Sequence, residues 1–178
     1  MHPDHRSLLI LNVVGGIAVL GSYALGITSH PGAASQAWGG VPESIRPVYT
    51  VNMFLAAAGY FAFSFFVFFR LDPERTRLFG SHGFRAFRLL YALILIPSAI
   101  WMPLTFAMID APSAPLWAVI RLVLLLVGLG SVGLIGAVAT AGPVSAPIAR
   151  RVAIAGTIPF AIQTALLDAL IWPAYFPT

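Results

Sequence analysis

Five long apolar segments, separated by short polar connections, account for nearly all of this 178-residue chain. Segments of about 20 mostly apolar residues match a hydrocarbon core of roughly 30 Å, because an α-helix rises about 1.5 Å per residue. The sequence therefore predicts an all-α fold, a single integral membrane bundle of five transmembrane helices. We place the helices at residues 8–28, 48–70, 84–108, 115–140 and 148–173.

The composition agrees with a membrane environment. Hydrophobic residues make up 59% of the chain and charged residues 9%, whereas an ordinary soluble domain has about 25% charged residues. Its lysine-plus-arginine count of 10 consists entirely of arginines, most of them beside apolar segments, so the net charge of +4 indicates topology rather than nucleic-acid binding. Membrane lipids are the predicted partners. The absence of cysteine excludes disulfides and thiolate-bound metals.

The distribution of arginine predicts the orientation. With five spans, the N-terminus and the second and fourth connections share a side, and they carry eight arginines: Arg6, Arg70, Arg75, Arg77, Arg85, Arg88, Arg150 and Arg151. The positive-inside rule then places the N-terminus in the cytoplasm and the C-terminus outside, in what we predict to be a bacterial cell membrane. Arg121 is expected to reach the outer surface or to pair with Asp110. The first segment is too long for a signal peptide and is predicted to remain as a helix.

The first connection, residues 29–47, is the longest. Its glycines and prolines argue against a regular helix, while Trp38, Val41 and Ile45 are apolar enough to pack. We predict a folded lid on the outer face. Pro97 and Pro103 are expected to bend the third helix, and Pro159 to break the fifth.

Glycine recurs along the fourth segment, at Gly128, Gly130, Gly133 and Gly136. Small residues at such spacings allow helix backbones to approach closely, either inside the bundle or across a dimer. The sequence leaves both alternatives open.

The polar residues do not form a catalytic or metal-binding motif. All four histidines lie in termini or connections, and no nucleophile–base set or phosphate loop is present. We therefore assign no catalytic residue, no metal site and no required cofactor. Asp168 is the one acidic residue well inside a span, so it is a candidate for either a structural hydrogen bond or a ligand contact.

The four tryptophans all fall toward the predicted outer half. An aromatic belt at the interface accounts for Trp117 and Trp172. Trp38 in the lid and Trp101 beside Pro103 are less easily explained in that way. Kinked helices beneath an aromatic lid predict a cavity for a flat apolar ligand, and ordinary bundle packing is the alternative.

Three stretches of the chain resemble the translocator protein family, also called tryptophan-rich sensory proteins or peripheral benzodiazepine receptors. Family members carry W-x-P-P in the first loop, with P-V-W-T nine residues after that tryptophan, then N-x-x-W-S-P-x-F-F in the third helix and L-N-x-x-I-W in the fifth. This chain has Trp38 followed by P-V-Y-T from Pro47, S-A-I-W-M-P-L-T-F from Ser98, and L-D-A-L-I-W from Leu167. The likeness extends over essentially the whole length.

The resemblance implies a five-helix protein, a homodimer, with a pocket among the outer halves of the helices that binds a tetrapyrrole or lipid. It implies a sensory, regulatory or transport role. The implied lid residues are Trp38 and Pro42, and the implied pocket residues are Tyr49, Trp101, Phe106, Phe160 and Asp168. We add Asn52 because an amide near the start of the second helix can hydrogen-bond a ligand.

The chain departs from the family pattern at several of these positions. Pro42 stands one place late, Tyr49 replaces a tryptophan, and Ser98 and Asp168 each replace an asparagine. An ionised Asp168 disfavours an anionic propionate. The family's sterol-recognition pattern is absent after Tyr175. Two other roles stay open, an accessory subunit of a larger membrane complex and a small transporter that uses Asp168.

Overall fold

The computed structural model describes residues 1–30 and 32–177. Pro31, which belongs to the predicted lid, and Thr178 lie outside the described residues. The helices are α1 Pro3–Ser29, α2 Ala33–Gln36, α3 Arg46–Phe69, α4 Arg85–Asp110, α5 Ala114–Thr140, α6 Pro147–Ala161, a π-helix Ile162–Ile171, and α7 Trp172–Tyr175. A two-stranded antiparallel hairpin, β1 Arg77–Leu78 and β2 His82–Gly83, connects α3 to α4.

The predicted all-α bundle of five transmembrane helices is confirmed. α1, α3, α4, α5 and the continuous span Pro147–Tyr175 are each long and apolar enough to cross a membrane, and the protein is an integral membrane protein. α1 begins at Pro3, five residues before the predicted start, because proline suits the first helical turn and His2 Nδ1 accepts the Asp4 amide at 3.2 Å. The other predicted boundaries differ from the observed ones by no more than two residues.

Two local predictions were wrong. Despite its glycines and prolines, the first connection contains the single helical turn α2, which lies between Gly32 and Ala37 where no proline interrupts it. Pro159 does not break the fifth span either, since α6 runs through it to Ala161. The hydrogen-bond pattern changes three residues after Pro159, where the ten-residue π-helix begins. Most π-helices are single-turn bulges, and they occur frequently at functional sites.

The helices form two groups. α4 packs between α1 and α5, while α3 packs along α6, and α5 joins the groups by contacting α6 and the π-helix. On one side of the bundle's interior lie α1 and α4, and facing them lie α3 and the π-helix. We call the line between these two pairs the central seam. α1 makes little direct contact with α3; their side chains meet in the hydrogen bond from Tyr60 Oη to Asn12 Oδ1, at 2.6 Å, and in the rings of His5 and Phe68, whose centroids lie 6.3 Å apart.

The glycines of α5 serve packing within the chain. A Cβ at Gly128 would stand 3.1 Å from Ala165 Cα of the π-helix, and one at Gly133 would stand 2.8 Å from Leu90 Cδ2 of α4. Gly130 also lies against α4 and Gly136 against Phe79. The sequence left open whether these glycines pack inside the bundle or across a dimer, and in the structure they pack inside the bundle.

The two ends of the bundle differ in composition. The arginine end holds the eight arginines named above, and there Arg85 Nε contacts Asp4 Oδ1 at 3.2 Å while the Arg77 amide donates to the Gly142 carbonyl. The tryptophan end holds the C-terminus of α1, the first connection, α7, and all four tryptophans. The site described next lies at the tryptophan end.

Candidate ligand-binding site

Trp172 is the centre of an aromatic cluster at the tryptophan end. Its side chain is 4% exposed, and its ring centroid lies 5.6 Å from Trp101, 6.0 Å from Trp117 and 4.6 Å from Phe176. Trp117 in turn stacks on Phe176 at 5.2 Å. The prediction of an interfacial belt was therefore wrong for Trp172, which is part of the protein core, because the π-helix and α7 direct it inward.

The first connection folds across this cluster. Trp172 Nε1 donates to the Ala37 carbonyl at 2.9 Å, and the Gly40 amide donates to the Tyr175 carbonyl at 2.9 Å. Trp38 packs edge-on against Tyr49, with ring centroids 5.7 Å apart. Val41 is buried whereas Pro42 is exposed, so the connection turns its valine rather than its proline toward the bundle.

Glycine is needed where the connection meets α7. Gly39 has a φ of +55°, a conformation that residues with a Cβ rarely adopt, and a Cβ on Gly39 would stand 2.9 Å from the Phe176 ring. A Cβ on Gly40 would overlap the Tyr175 carbonyl. These two glycines allow the connection to lie directly on the C-terminal turn.

A chain of polar side chains lies beneath the aromatic cluster, at membrane depth. Asn52 Nδ2 donates to Gln163 Oε1 at 3.0 Å and to the Pro159 carbonyl at 3.0 Å. Gln163 Nε2 then donates to Asp168 Oδ1 at 2.8 Å. The predicted residues Asn52 and Asp168 are thus joined through Gln163, which sequence reasoning missed.

The π-helix explains why Gln163 escaped prediction. Residues five apart point in different directions on an α-helix, so Gln163 and Asp168 gave no pairing signal. In a π-helix the hydrogen bonds connect residues five apart, which brings such residues to one face. Both residues lie within Ile162–Ile171.

Asp168 is enclosed by the bundle but retains some accessible surface. Tyr49 Oη donates to the carbonyl of Leu167, the residue before Asp168, at 2.9 Å. Among the described residues, no histidine or arginine lies within 4.0 Å of this carboxylate. Asp168 therefore has no cationic partner among the described residues.

Trp101 of α4 lies on the side of the central seam that faces the π-helix. Its ring contacts Tyr23 at 5.7 Å and Trp172 at 5.6 Å, so it bridges α1 and α7. Its Nε1 atom is buried and has no hydrogen-bond partner in the described part of the chain. A buried donor without a partner costs about 1–3 kcal/mol. A ligand atom that accepts this hydrogen would remove that cost.

Two other predicted residues have their aromatic partners elsewhere, while Trp101 packs against the pair formed by Met102 and Phe106. Phe106 is buried against α1, where its ring stacks on His30 at 4.3 Å. Phe160 packs on Tyr60 and Phe63, with ring centroids 5.7 and 5.3 Å apart, in the core toward the arginine end. Five of the eight predicted residues, Trp38, Tyr49, Asn52, Trp101 and Asp168, lie around the tryptophan end of the central seam.

His30 also decides how Asp110 is paired. His30 Nε2 lies 3.4 Å from Asp110 Oδ2, while Arg121 is exposed on α5. Arg121 was expected either to reach the outer surface or to pair with Asp110, and the structure does not show the pairing with Asp110. The His30–Asp110 contact instead holds the start of the first connection to the end of α4.

Two open depressions on the surface lie elsewhere. One of about 270 Å³ is lined by Val144, Pro147, Arg150, Arg151 and Ile154, and one of about 340 Å³ by Met1, Pro3, Arg6, Ser7 and Ile10. Both are at the arginine end and include none of the candidate ligand residues. Within residues 1–30 and 32–177, no group of three or more His, Asp or Glu side chains is placed to hold a metal ion.

No family model, curated protein or solved structure matches this chain. The resemblance to translocator proteins therefore stays a prediction, and the functional argument depends on the geometry of the site itself.

The polar chain predicts a measurable stability effect. Replacing Asn52 with leucine removes the donor to Gln163 Oε1 and to the Pro159 carbonyl. We expect the free energy of unfolding in mixed detergent micelles to fall by about 1–2 kcal/mol, because the partners are left unpaired at membrane depth.

Thr50→Val is the matched control, since Thr50 is exposed on the same helix and bonds only to the Arg46 carbonyl. It should change the unfolding free energy by less than about 0.5 kcal/mol. The double variant Asn52→Leu, Gln163→Leu should lose less than the sum of the two single losses, because both break the same hydrogen bond. Strict additivity would contradict this pairing.

Proposed function

We propose that this protein binds a flat apolar small molecule, of the size of a tetrapyrrole or a lipid, in the central seam at the tryptophan end. The binding serves a sensory, regulatory or transport role, as the resemblance to translocator proteins implies. The observation that carries the proposal is the Nε1 donor of Trp101. This atom is buried and has no hydrogen-bond partner among the described residues, and the Trp101 ring contacts the rings of Tyr23 and Trp172.

The packing of the helices supports a route for such a ligand. α1 and α3 make little direct contact, so we place the route of the ligand from the lipid between these two helices. A molecule dissolved in the membrane would meet Tyr23 of α1 beside Trp101, and its flat face would stack on the Trp101 ring. The first connection acts as the lid, held by Trp172 and Tyr175.

The orientation is part of the same proposal. The arginine end faces the cytoplasm of a bacterial cell and the tryptophan end faces outward, as the positive-inside rule requires. The site is then in the outer half of the membrane. A homodimer is the proposed assembly. Neither a metal nor a cofactor is required for binding.

The proposal is tested by titrating the purified protein with protoporphyrin and haem while following tryptophan fluorescence. We expect saturable quenching in the wild type, and a dissociation constant at least about tenfold higher in Trp101→Ala, which corresponds to about 1.4 kcal/mol of binding free energy. Trp101→Phe should lose less, because it keeps an aromatic face and lacks only the Nε1 donor.

Trp117→Phe is the control for this titration. It also removes one fluorophore from the tryptophan end, but Trp117 stacks on Phe176 rather than on Tyr23. Its dissociation constants should stay within about twofold of the wild type. Equal effects of the Trp101 and Trp117 variants would contradict the proposed site and favour the role of an accessory subunit.

A further inference from the structure

We infer that the ligand of this site carries a positive charge, a flat organic cation for which Asp168 is the counterion. This inference rests on the proposed function and narrows its ligand class. It derives from the pairing of the charged groups around the central seam and from the rings beside them.

Every cationic side chain at the tryptophan end is directed elsewhere. Arg46 donates to the Val41 carbonyl at 3.0 Å and lies over the Trp38 ring, 5.7 Å from its centroid. His30 contacts Asp110 and stacks on Phe106. Arg121 is exposed. The protein thus supplies no cation to Asp168 from the first connection or from α1, α3, α4 or α5 in the described part of the chain.

The hydrogen bonding of Asp168 leaves one oxygen available. Gln163 Nε2 donates to Oδ1 and fixes the carboxylate, while no described side chain donates to Oδ2. An ionised carboxylate at membrane depth is costly unless it is paired, and such residues are found paired or facing a substrate pathway. A bound cation would provide the missing partner.

The surrounding rings favour the same ligand charge. Tyr23, Trp101 and Trp172 form a continuous series of contacts, at 5.7 and 5.6 Å, and the Tyr49 hydroxyl donates to the carbonyl of Leu167, the residue before Asp168. The face of an aromatic ring attracts a cation, and groups of such rings recognise organic ammonium ions. An anion would meet both the carboxylate and the negative ring faces, so a tetrapyrrole with free propionates is a poor match.

Three probes with one ring system and different charges test the inference. At pH 8, 9-aminoacridine is a cation, acridine is neutral and acridine-9-carboxylate is an anion. Dissociation constants are measured by tryptophan quenching in a nonionic detergent, so that no lipid charge contributes. We expect the wild-type protein to bind the cation at least about tenfold more tightly than acridine, and the anion most weakly.

Asp168→Asn then isolates the charge, because it keeps the size of the side chain and an oxygen that Gln163 can bond. This variant should lose the preference for 9-aminoacridine over acridine and bind acridine within about threefold of the wild type. Glu43→Gln is the control. It removes the same charge from the first connection, where the side chain is 90% exposed, and should leave the preference unchanged.

The outcomes separate the inference from the proposed function. Equal binding of all three acridines, with loss of binding in Trp101→Ala, would keep the aromatic site and overturn the cationic ligand. A preference for the cation that persists in Asp168→Asn would also overturn the role of Asp168. If the wild type binds none of the acridines and neither protoporphyrin nor haem, the proposed function fails as well.

Discussion

Replacing Gly59 with leucine is expected to lower the free energy of unfolding by about 3 kcal/mol or more, the upper range for an overpacked core. Gly59 lies where α3 packs along α6, directly opposite Gly156. A Cβ at position 59 would overlap the Gly156 carbonyl oxygen and stand 3.0 Å from its Cα. Because backbone rather than a flexible side chain is in the way, the two helices would have to separate. Unfolding in mixed detergent micelles, followed by circular dichroism, measures the loss.

Alanine variants make the prediction specific. Gly16 on α1 has no heavy atom within 4 Å of the place where its Cβ would be. Gly16→Ala should therefore raise the unfolding free energy by up to about 1 kcal/mol through helix propensity alone. Gly59→Ala should lower it by about 1–3 kcal/mol. Equal effects of the two substitutions would show that α3 and α6 do not approach each other as described.

Trp172→Ala is expected to destabilise the tryptophan end by about 3–5 kcal/mol, the usual range for truncating a buried aromatic side chain. The substitution removes the contacts with Trp101, Trp117 and Phe176 together with the hydrogen bond to the Ala37 carbonyl. The first connection should be released as a result. Faster amide hydrogen exchange over residues 35–45, with unchanged exchange in the hairpin of β1 and β2, is the expected result.

Trp172→Phe separates packing from hydrogen bonding. It keeps a ring in the cluster but removes Nε1. The loss of unfolding free energy should therefore be smaller than that of Trp172→Ala, by about 1–2 kcal/mol. Exchange at residues 35–45 should still increase, because the Ala37 carbonyl has lost its donor. Unchanged exchange in both variants would mean that Trp172 does not hold the connection in place.

Much of the fold could be predicted from residue types taken one segment at a time. The spans follow from apolar length, and the starts of three of them agree with Pro47, Pro115 and Pro147, which suit the first turn of a helix, whereas α1 starts at Pro3, five residues before its predicted start. The change to a π-helix at Ile162 could not be predicted in this way. The π-helix packs on α3 and α5, and no local propensity encodes that packing.

The candidate site was predicted only in part, for the same reason. Trp38, Tyr49, Trp101 and Asp168 stand out as aromatic or charged residues in unusual places, so they could be selected from the sequence. Phe106 and Phe160 could not be assigned to the correct neighbours, because many phenylalanines are available and periodicity does not say which helix each one faces. Phe106 packs on α1, and Phe160 packs on Tyr60 and Phe63.

The sequence by itself determined that this chain spans a membrane five times, because hydrophobic length is a local property that the bilayer requires of each helix separately. Only the tertiary structure decided which polar and aromatic residues meet. The path from Asn52 through Gln163 to Asp168 exists because a π-helix brings residues five apart onto one face and because α3 packs against it. Contacts of this kind depend on the rotation of each helix within the bundle, which a hydrophobic segment does not specify.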